Sequence, residues 1–234
     1  MKNGKDKLIV AIDTDNFDKA KELIDQLEDS VDIFKVGLEQ YVATKGKTLE
    51  YLKEKGKKVF LDLKFHDIPN TMKSAVRAAV RDNVWLMTIH VSDLEGMRQC
   101  ALVAKEEAAK LNIEKPIIVG VTVLTSLSNE DLQDIGCNMT TEELVIKRAK
   151  LAQKAGIDGI VCSAKEVDRI VEVCGKDFVT VCPSSSSAGD QKRVVTPAEA
   201  IKNGAKYLVV GRPITQSENP KQSAIDIARE IENA

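Results

Sequence analysis

The chain has little from which to build a metal site or a disulfide framework. It holds only two histidines, His66 and His90, and both stand far from any pair of cysteines. A structural zinc needs about four such ligands converging. The five cysteines, Cys100, Cys137, Cys162, Cys174 and Cys182, are odd in number and none lie at C-x-x-C spacing. They read as reduced thiols of a cytoplasmic protein, most of them small apolar fillers. No stretch approaches the ~20 apolar residues of a membrane span. Met1 to Lys7 is polar, with no apolar run behind it long enough for a signal peptide. There is no surplus of charge of either sign: the formal net charge is -2. Nucleic acid and membrane are therefore not expected as partners, although a local basic pocket for a phosphate remains compatible with that balance. No linker, charge block or shift in composition divides the chain, so a single domain over residues 1–234 is expected.

What the sequence does have is a regular succession of short apolar, β-branched runs. These are Leu8–Ile12, Ile33–Leu38, Val59–Leu63, Leu86–Val91, Ile117–Leu124, Gly159–Cys162, Phe178–Cys182 and Tyr207–Val210. Most are nearly continuous rather than alternating, as in parallel strands buried on both faces. Charged stretches with helical spacing lie between them. Phe17, Ala20, Leu23, Ile24 and Leu27 form one apolar stripe. Similar stretches run over 49–55, 72–80, 97–111, 141–155, 164–173, 197–203 and 223–231. Thr196-Pro197-Ala198-Glu199 has an N-cap candidate, proline at N1 and glutamate at N3. Strict β–α alternation through eight units predicts an α/β fold, and this chain length suits a closed (β/α)8 TIM barrel.

In such a barrel, function sits at the C-terminal ends of the strands. That rule selects Asp13, Lys35, Asp62 with Lys64, His90, Thr125, Ser163, Pro183 and Gly211-Arg212. The end of strand three is the strongest of these signals. Asp62 and Lys64 are two residues apart, so on a regular strand they share a face, here the interior. Lys35 interrupts the apolar run Ile33-Phe34-Lys35-Val36-Gly37 on the neighbouring strand. A buried charge costs several kcal/mol unless it is paired. Two lysines and an aspartate at one mouth compensate one another, and Asp67 would add a fourth charge. A structural ion-pair network and a reactive site are both compatible with Asp-x-Lys alone; Lys35 on the adjacent strand favours the reactive site. His66 reads as a positioning residue, His90 as a hydrogen-bonded histidine near the core, and Trp85 and Met87 as packing.

The run Asp62-Leu63-Lys64-Phe65-His66-Asp67-Ile68-Pro69-Asn70-Thr71 resembles the signature of orotidine 5′-monophosphate decarboxylases. Weaker similarities follow in the right order along nearly the whole chain. They are Ala11-Ile12-Asp13, Phe34-Lys35-Val36-Gly37, Val121 to Ser126, Asp158 to Ser163, Ala188 to Arg193 and Val210-Gly211-Arg212-Pro213. The resemblance implies a cofactor-free decarboxylase of pyrimidine biosynthesis. It implies that Lys64 gives the proton to C6 of the pyrimidine and that Asp62 faces the substrate carboxylate. Lys35 and Asp67 would complete an alternating Lys-Asp-Lys-Asp array. Asp13 and Lys35 would hold ribose hydroxyls, Thr125 the pyrimidine, Gln191 base and phosphate, and Gly211 and Arg212 the phosphate. It further implies a homodimer in which Asp67 and Thr71 reach the neighbouring subunit's site. No motif for a metal, flavin or pyridoxal cofactor is present.

The chain departs from the family pattern after strand seven. There the family's Pro-Gly-Ile-Arg is replaced by Pro183 followed by Ser184-Ser185-Ser186-Ser187. The Gly and the Arg have no counterpart, and the loop is roughly four residues short by the family pattern. One lost charge-assisted phosphate contact corresponds to ~1.5–3 kcal/mol. Natural drift, engineering and missing residues are the three readings of the serine run, which is of the kind used in engineered flexible loops. Two alternatives to the decarboxylase stand beside it. One is a related magnesium-dependent barrel acting on a sugar phosphate. The other is a loop-altered barrel that binds nucleotide phosphate with little turnover.

Overall fold

A computed structural model of the chain describes residues 4–184 and 195–234. Eight parallel strands close into a barrel in sequence order. They are β1 Leu8–Ile12, β2 Ile33–Gly37, β3 Lys58–Phe65, β4 Leu86–His90, β5 Ile117–Val121, β6 Gly159–Val161, β7 Val179–Ser184 and β8 Tyr207–Val210. Ile9 pairs with Ile33 on one side of β1 and with Val209 on the other, which closes the ring. The expected (β/α)8 architecture is therefore the one observed.

The barrel has two apolar regions because side chains alternate across each strand. Ile9, Ile33, Phe60, Leu86, Val119 and Val181 fill the interior as one cluster. Their neighbours, such as Val10, Phe34, Leu61, Met87 and Ile160, point outward into a larger cluster beneath the helices. Every residue of β1 and of β2 is buried, which is why β1 reads as an unbroken apolar run and β2 as one broken only by Lys35. Trp85 meets Tyr207 edge-on, with ring centroids 5.1 Å apart, near the strand N-termini.

The helices are α1 Phe17–Leu27, α2 Leu38–Thr44, α3 Lys47–Glu54, α4 Pro69–Arg81, α5 Leu94–Leu111, α6 Asn129–Asp134, α7 Thr141–Lys154, α8 Val167–Cys174, α9 Pro197–Lys202, α10 Arg212–Thr215 and α11 Pro220–Glu232. The expected start of α9 is observed. Thr196 accepts from the Glu199 N–H, and the Glu199 carboxylate accepts from the Thr196 N–H. Three short helices, α2, α6 and α10, have no counterpart in the periodic stretches, being too brief to show a period. The apolar run through Leu38 and the run through Leu124 overstate their strands. Leu38 opens α2 and is 56% exposed, while the chain after Val121 leaves the ladder. Conversely, β3 continues two residues beyond Leu63, and β7 extends through Pro183 to Ser184, which pairs with Val210.

All five cysteines are free thiols. Four are buried as expected, and burial raises the pKa values of Cys100 and Cys174. Cys162 and Cys182 bring their sulfurs to 3.9 Å between β6 and β7. Among the described residues no helix is long and apolar enough to cross a membrane.

Candidate active site

The C-terminal ends of the strands surround a cavity of about 510 Å³. Its floor is apolar, formed by Ala11, Phe60, Val121, Val161, Val181 and Val209 from the upper interior layer. Its rim is polar and divided. Asp13, Lys35, Asp62 and Lys64 stand on the β1–β3 side; Gly211, Arg212 and Gln216 stand on the β8 side. Glu39 of α2, Val123, Leu124 and Thr125 beyond β5, Pro183 with Ser184 in β7, and Pro213 make up the rest of the lining.

The four charged groups form a row of alternating sign. Lys35 Nζ lies 3.1 Å from Asp13 Oδ1 and 3.7 Å from Asp62 Oδ2. Lys64 Nζ lies 2.9 Å from Asp62 Oδ1. Lys35 and Asp62 are the deepest members, with side chains only 11% and 13% exposed. Their burial is tolerable because each is flanked by opposite charge. Gly37 gives Lys35 the room it needs. A Cβ at position 37 would stand 2.8 Å from the Lys35 ammonium and 3.5 Å from Asp13 Oδ1.

Strand β3 is irregular where it carries Asp62 and Lys64. Leu61 pairs with Met87 and Phe65 with Ile89, so four residue steps on β3 face two on β4. Such a bulge re-aims side chains and is common beside active sites. Lys64 absorbs it in a left-handed backbone conformation, φ +50°, which an L side chain adopts only at a cost. Asp62 and Lys64 thus converge through a bulge and not by simple strand alternation. Thr88 of β4 lies behind them, fully buried. Its hydroxyl accepts from the Lys64 N–H at 2.9 Å and donates to Asp62 Oδ1 at 3.0 Å.

Other residues selected by sequence fall outside this cluster. Within one protomer Asp67 is exposed and accepts from the neighbouring Ile68 N–H at 2.6 Å, so the fourth charge of the row is Asp13. Thr71 is exposed in the first turn of α4. Neither lines the cavity of its own chain. Ser163 is buried, and its N–H donates to Glu166 at the start of α8. Gln191 and the serines from 185 to 187 lie outside the described residues. His90 stacks on His66 with ring centroids 5.0 Å apart. Burial first, then electrostatic repulsion from the neighbouring His66 ring and Arg148, lowers the His90 pKa. Among the described residues no three His, Cys, Asp or Glu side chains converge as a metal site would require.

Thr88, Glu39 and Gln216 were not among the residues picked out by sequence, and Gly37 entered only within the Phe34-Lys35-Val36-Gly37 similarity. Only Thr88 carried a signal, as a polar residue inside the apolar run of β4.

Comparison with known proteins identifies the family. The model of the orotidine 5′-phosphate decarboxylase / HUMPS family matches residues 6–227. The chain belongs to that family. An orotidine 5′-phosphate decarboxylase of Moorella thermoacetica is 47% identical, over 98% of this chain and 94% of that protein. One from Nostoc sp. is 45% identical over 97% of this chain and 98% of its own length. The crystal structure of orotidine 5′-phosphate decarboxylase from Lactobacillus acidophilus superposes with a TM-score of 0.84 at 32% identity, covering 97% of this chain and 99% of that one. The family match thus spans the barrel from β1 to β8.

Proposed function

We propose that this protein converts orotidine 5′-monophosphate to UMP and CO₂ without a cofactor, with Lys64 as the proton donor. The observation that carries this reading is the row Asp13–Lys35–Asp62–Lys64 at the mouth of a cavity, in a chain of this family.

The C6 carboxylate of the bound nucleotide sits beside Asp62, and the Lys64 ammonium lies at C6. Cleavage of the C6–carboxyl bond releases CO₂ and leaves the electron pair on C6. The ammonium stabilises that charge as it develops and then transfers a proton to the carbon, giving UMP and a neutral amine that solvent reprotonates. A cation already in place stabilises the transition state without reorganising at the moment of reaction. Asp62 holds Lys64 in position and places like charge beside the departing carboxylate, which raises the ground state. Asp13 and Lys35 hold ribose hydroxyls, and Thr125 faces the pyrimidine. The Gly211 N–H and Arg212 bind the phosphate, as is usual after the last strands of such barrels. Gln191 bridges base and phosphate. Binding energy from that distant phosphate serves the chemistry at C6.

The working unit is a homodimer. Asp67 and Thr71 serve the partner subunit's site, which fits their exposure here and the 67% exposure of Ile68 between them. A magnesium-dependent sugar-phosphate reaction is the competing assignment, and relatives at 42–47% identity carry the decarboxylase name.

The test is the absorbance change as orotidine 5′-monophosphate becomes UMP, with and without a chelator. Turnover indifferent to the chelator is expected. Turnover only of a keto-sugar phosphate, and only with metal, would overturn the assignment. The shared site has its own test. Mixed dimers of Asp67→Ala and Lys64→Ala subunits regain activity, because one of their two sites then contains neither lesion. Verified heterodimers that stay inactive would sink it.

A further inference from the structure

We infer that Thr88 is the positioning residue that sets both halves of the Lys64–Asp62 pair, an inference that rests on the decarboxylase reading above. The bulge creates the need for it. Thr88 has a register partner on β5, Val119, but none on β3, where the ladder skips from Leu61 to Phe65. The Lys64 N–H, turned out of the ladder by its left-handed backbone, finds the Thr88 hydroxyl in place of a strand carbonyl. The hydroxyl proton is spent on Asp62 Oδ1, the same oxygen that receives the Lys64 ammonium. One donor and one acceptor function are thus both used, and each restrains a different member of the pair.

Thr88 suits this task for three reasons. It is fully buried, so water does not compete for its hydroxyl. It is β-branched on a strand, which restricts its side-chain rotation. It does not line the cavity, so it acts on substrate only through Lys64 and Asp62. A displacement of about 1 Å of a reacting group costs on the order of 100-fold in rate, and a left-handed lysine has no intrinsic preference that would hold it in register.

Thr88→Val preserves shape and removes both hydrogen bonds. The expected result is a kcat lower by roughly 10- to 100-fold, with KM and the dissociation constant for UMP within about threefold of the parent. Those limits follow because the phosphate and ribose contacts are untouched. Thr88→Ser restores both bonds and returns kcat to within about threefold of the parent. Thr88→Cys, whose thiol fits the space but hydrogen-bonds weakly, replaces the valine variant if that fails to fold. Parental kcat in Thr88→Val or Thr88→Cys overturns the inference. So does a Thr88→Ser enzyme as slow as the valine variant, or a loss confined to UMP affinity. An unmodified enzyme that does not turn over orotidine 5′-monophosphate would instead refute the assigned reaction, so the two failures are distinct.

Discussion

Two clusters of lysine and aspartate stand about equally tight in this molecule, one at the mouth of the barrel and the other beside an open groove on the outer surface. At the barrel mouth, Lys64 reaches Asp62 at 2.9 Å and Lys35 reaches Asp13 at 3.1 Å. On the outer surface between α1 and α3, Lys55 reaches Asp25 at 2.8 Å and Glu28 at 2.7 Å, with Lys21 at 3.3 Å and the Tyr51 hydroxyl donating to Asp25. Ion-pair distance therefore does not distinguish a reactive site from a brace. The difference lies in the platform. The outer side chains hang from helix surfaces, and Tyr51, edge-on to Phe17, shows that they pin one helix to another. The inner ones rise from three adjacent strands around an open cavity, on a bulged strand, with one member held in a left-handed conformation. Strain of that kind persists only where the surroundings impose it, and it collects at functional sites.

Removing Lys64, the proposed proton donor, separates the two clusters most sharply. Lys64→Ala is expected to lower kcat by roughly 10⁴-fold, the upper range for loss of a positioned proton donor, with thermal stability little changed. Steady-state kinetics and a melting curve on the same preparation check both halves. A variant within tenfold of the parent would return the mouth cluster to the same class as the outer one.

Much of this distinction is visible in the sequence, but part of it is hidden for physical reasons. Lysine at position 35 and aspartate and lysine at 62 and 64 stand out because burying charge in an apolar run needs compensation. The eight strands stand out because parallel strands buried on both faces are written as continuous apolar runs. The bulge leaves no such mark. Lys64 carries no residue preference for positive φ, so the strand alternation that places it beside Asp62 reaches the right pair through the wrong geometry. Thr88 is easily passed over, because threonine is ordinary in a strand and its partners lie on a different one. Residues that act across a subunit boundary, as proposed for Asp67 and Thr71, have no local signal at all and rest on the family's signature. The helices α2, α6 and α10 are missed because their few residues cannot show a period, and one of them begins at the exposed Leu38.

Crowding the mouth cluster without removing any charge sharpens the comparison further. A methyl group at Gly37 would stand 2.8 Å from Lys35 Nζ, closer than nonbonded contact allows, so the ammonium must move. Gly37→Ala is therefore expected to lower kcat/KM by about 10- to 100-fold through misplacement of Lys35 between Asp13 and Asp62. Because the clash is with the end of a flexible side chain, the fold should absorb it, and the melting temperature should fall by only a few degrees. Activity within about twofold of the parent would mean that the position of Lys35 matters less than its charge.

The smallest effect is expected where the ions are most alike in distance and least alike in setting. Lys55 and Tyr51, with Lys21, draw the Asp25 carboxyl down from its ordinary 3.8 to about 2. The native state thus holds Asp25 ionised more firmly than the unfolded chain does. That contribution to stability is complete above about pH 4 and disappears as pH falls through about 2. Asp25→Asn forfeits it at neutral pH. Its side chain is 34% exposed and solvent screens the pairs, so the loss in melting temperature should be at most about 2–4 °C. The gap between the parent and Asp25→Asn should close on acidification from pH 4 to pH 2, while kcat at neutral pH stays at the parental value. An Asp25→Asn enzyme that melted normally but turned over slowly would reverse the roles of the two clusters. Separate outcomes, a slow stable enzyme from Lys64→Ala and a fast, slightly labile one from Asp25→Asn, would tie the distinction to the strands that hold the inner row and not to the strength of its ion pairs.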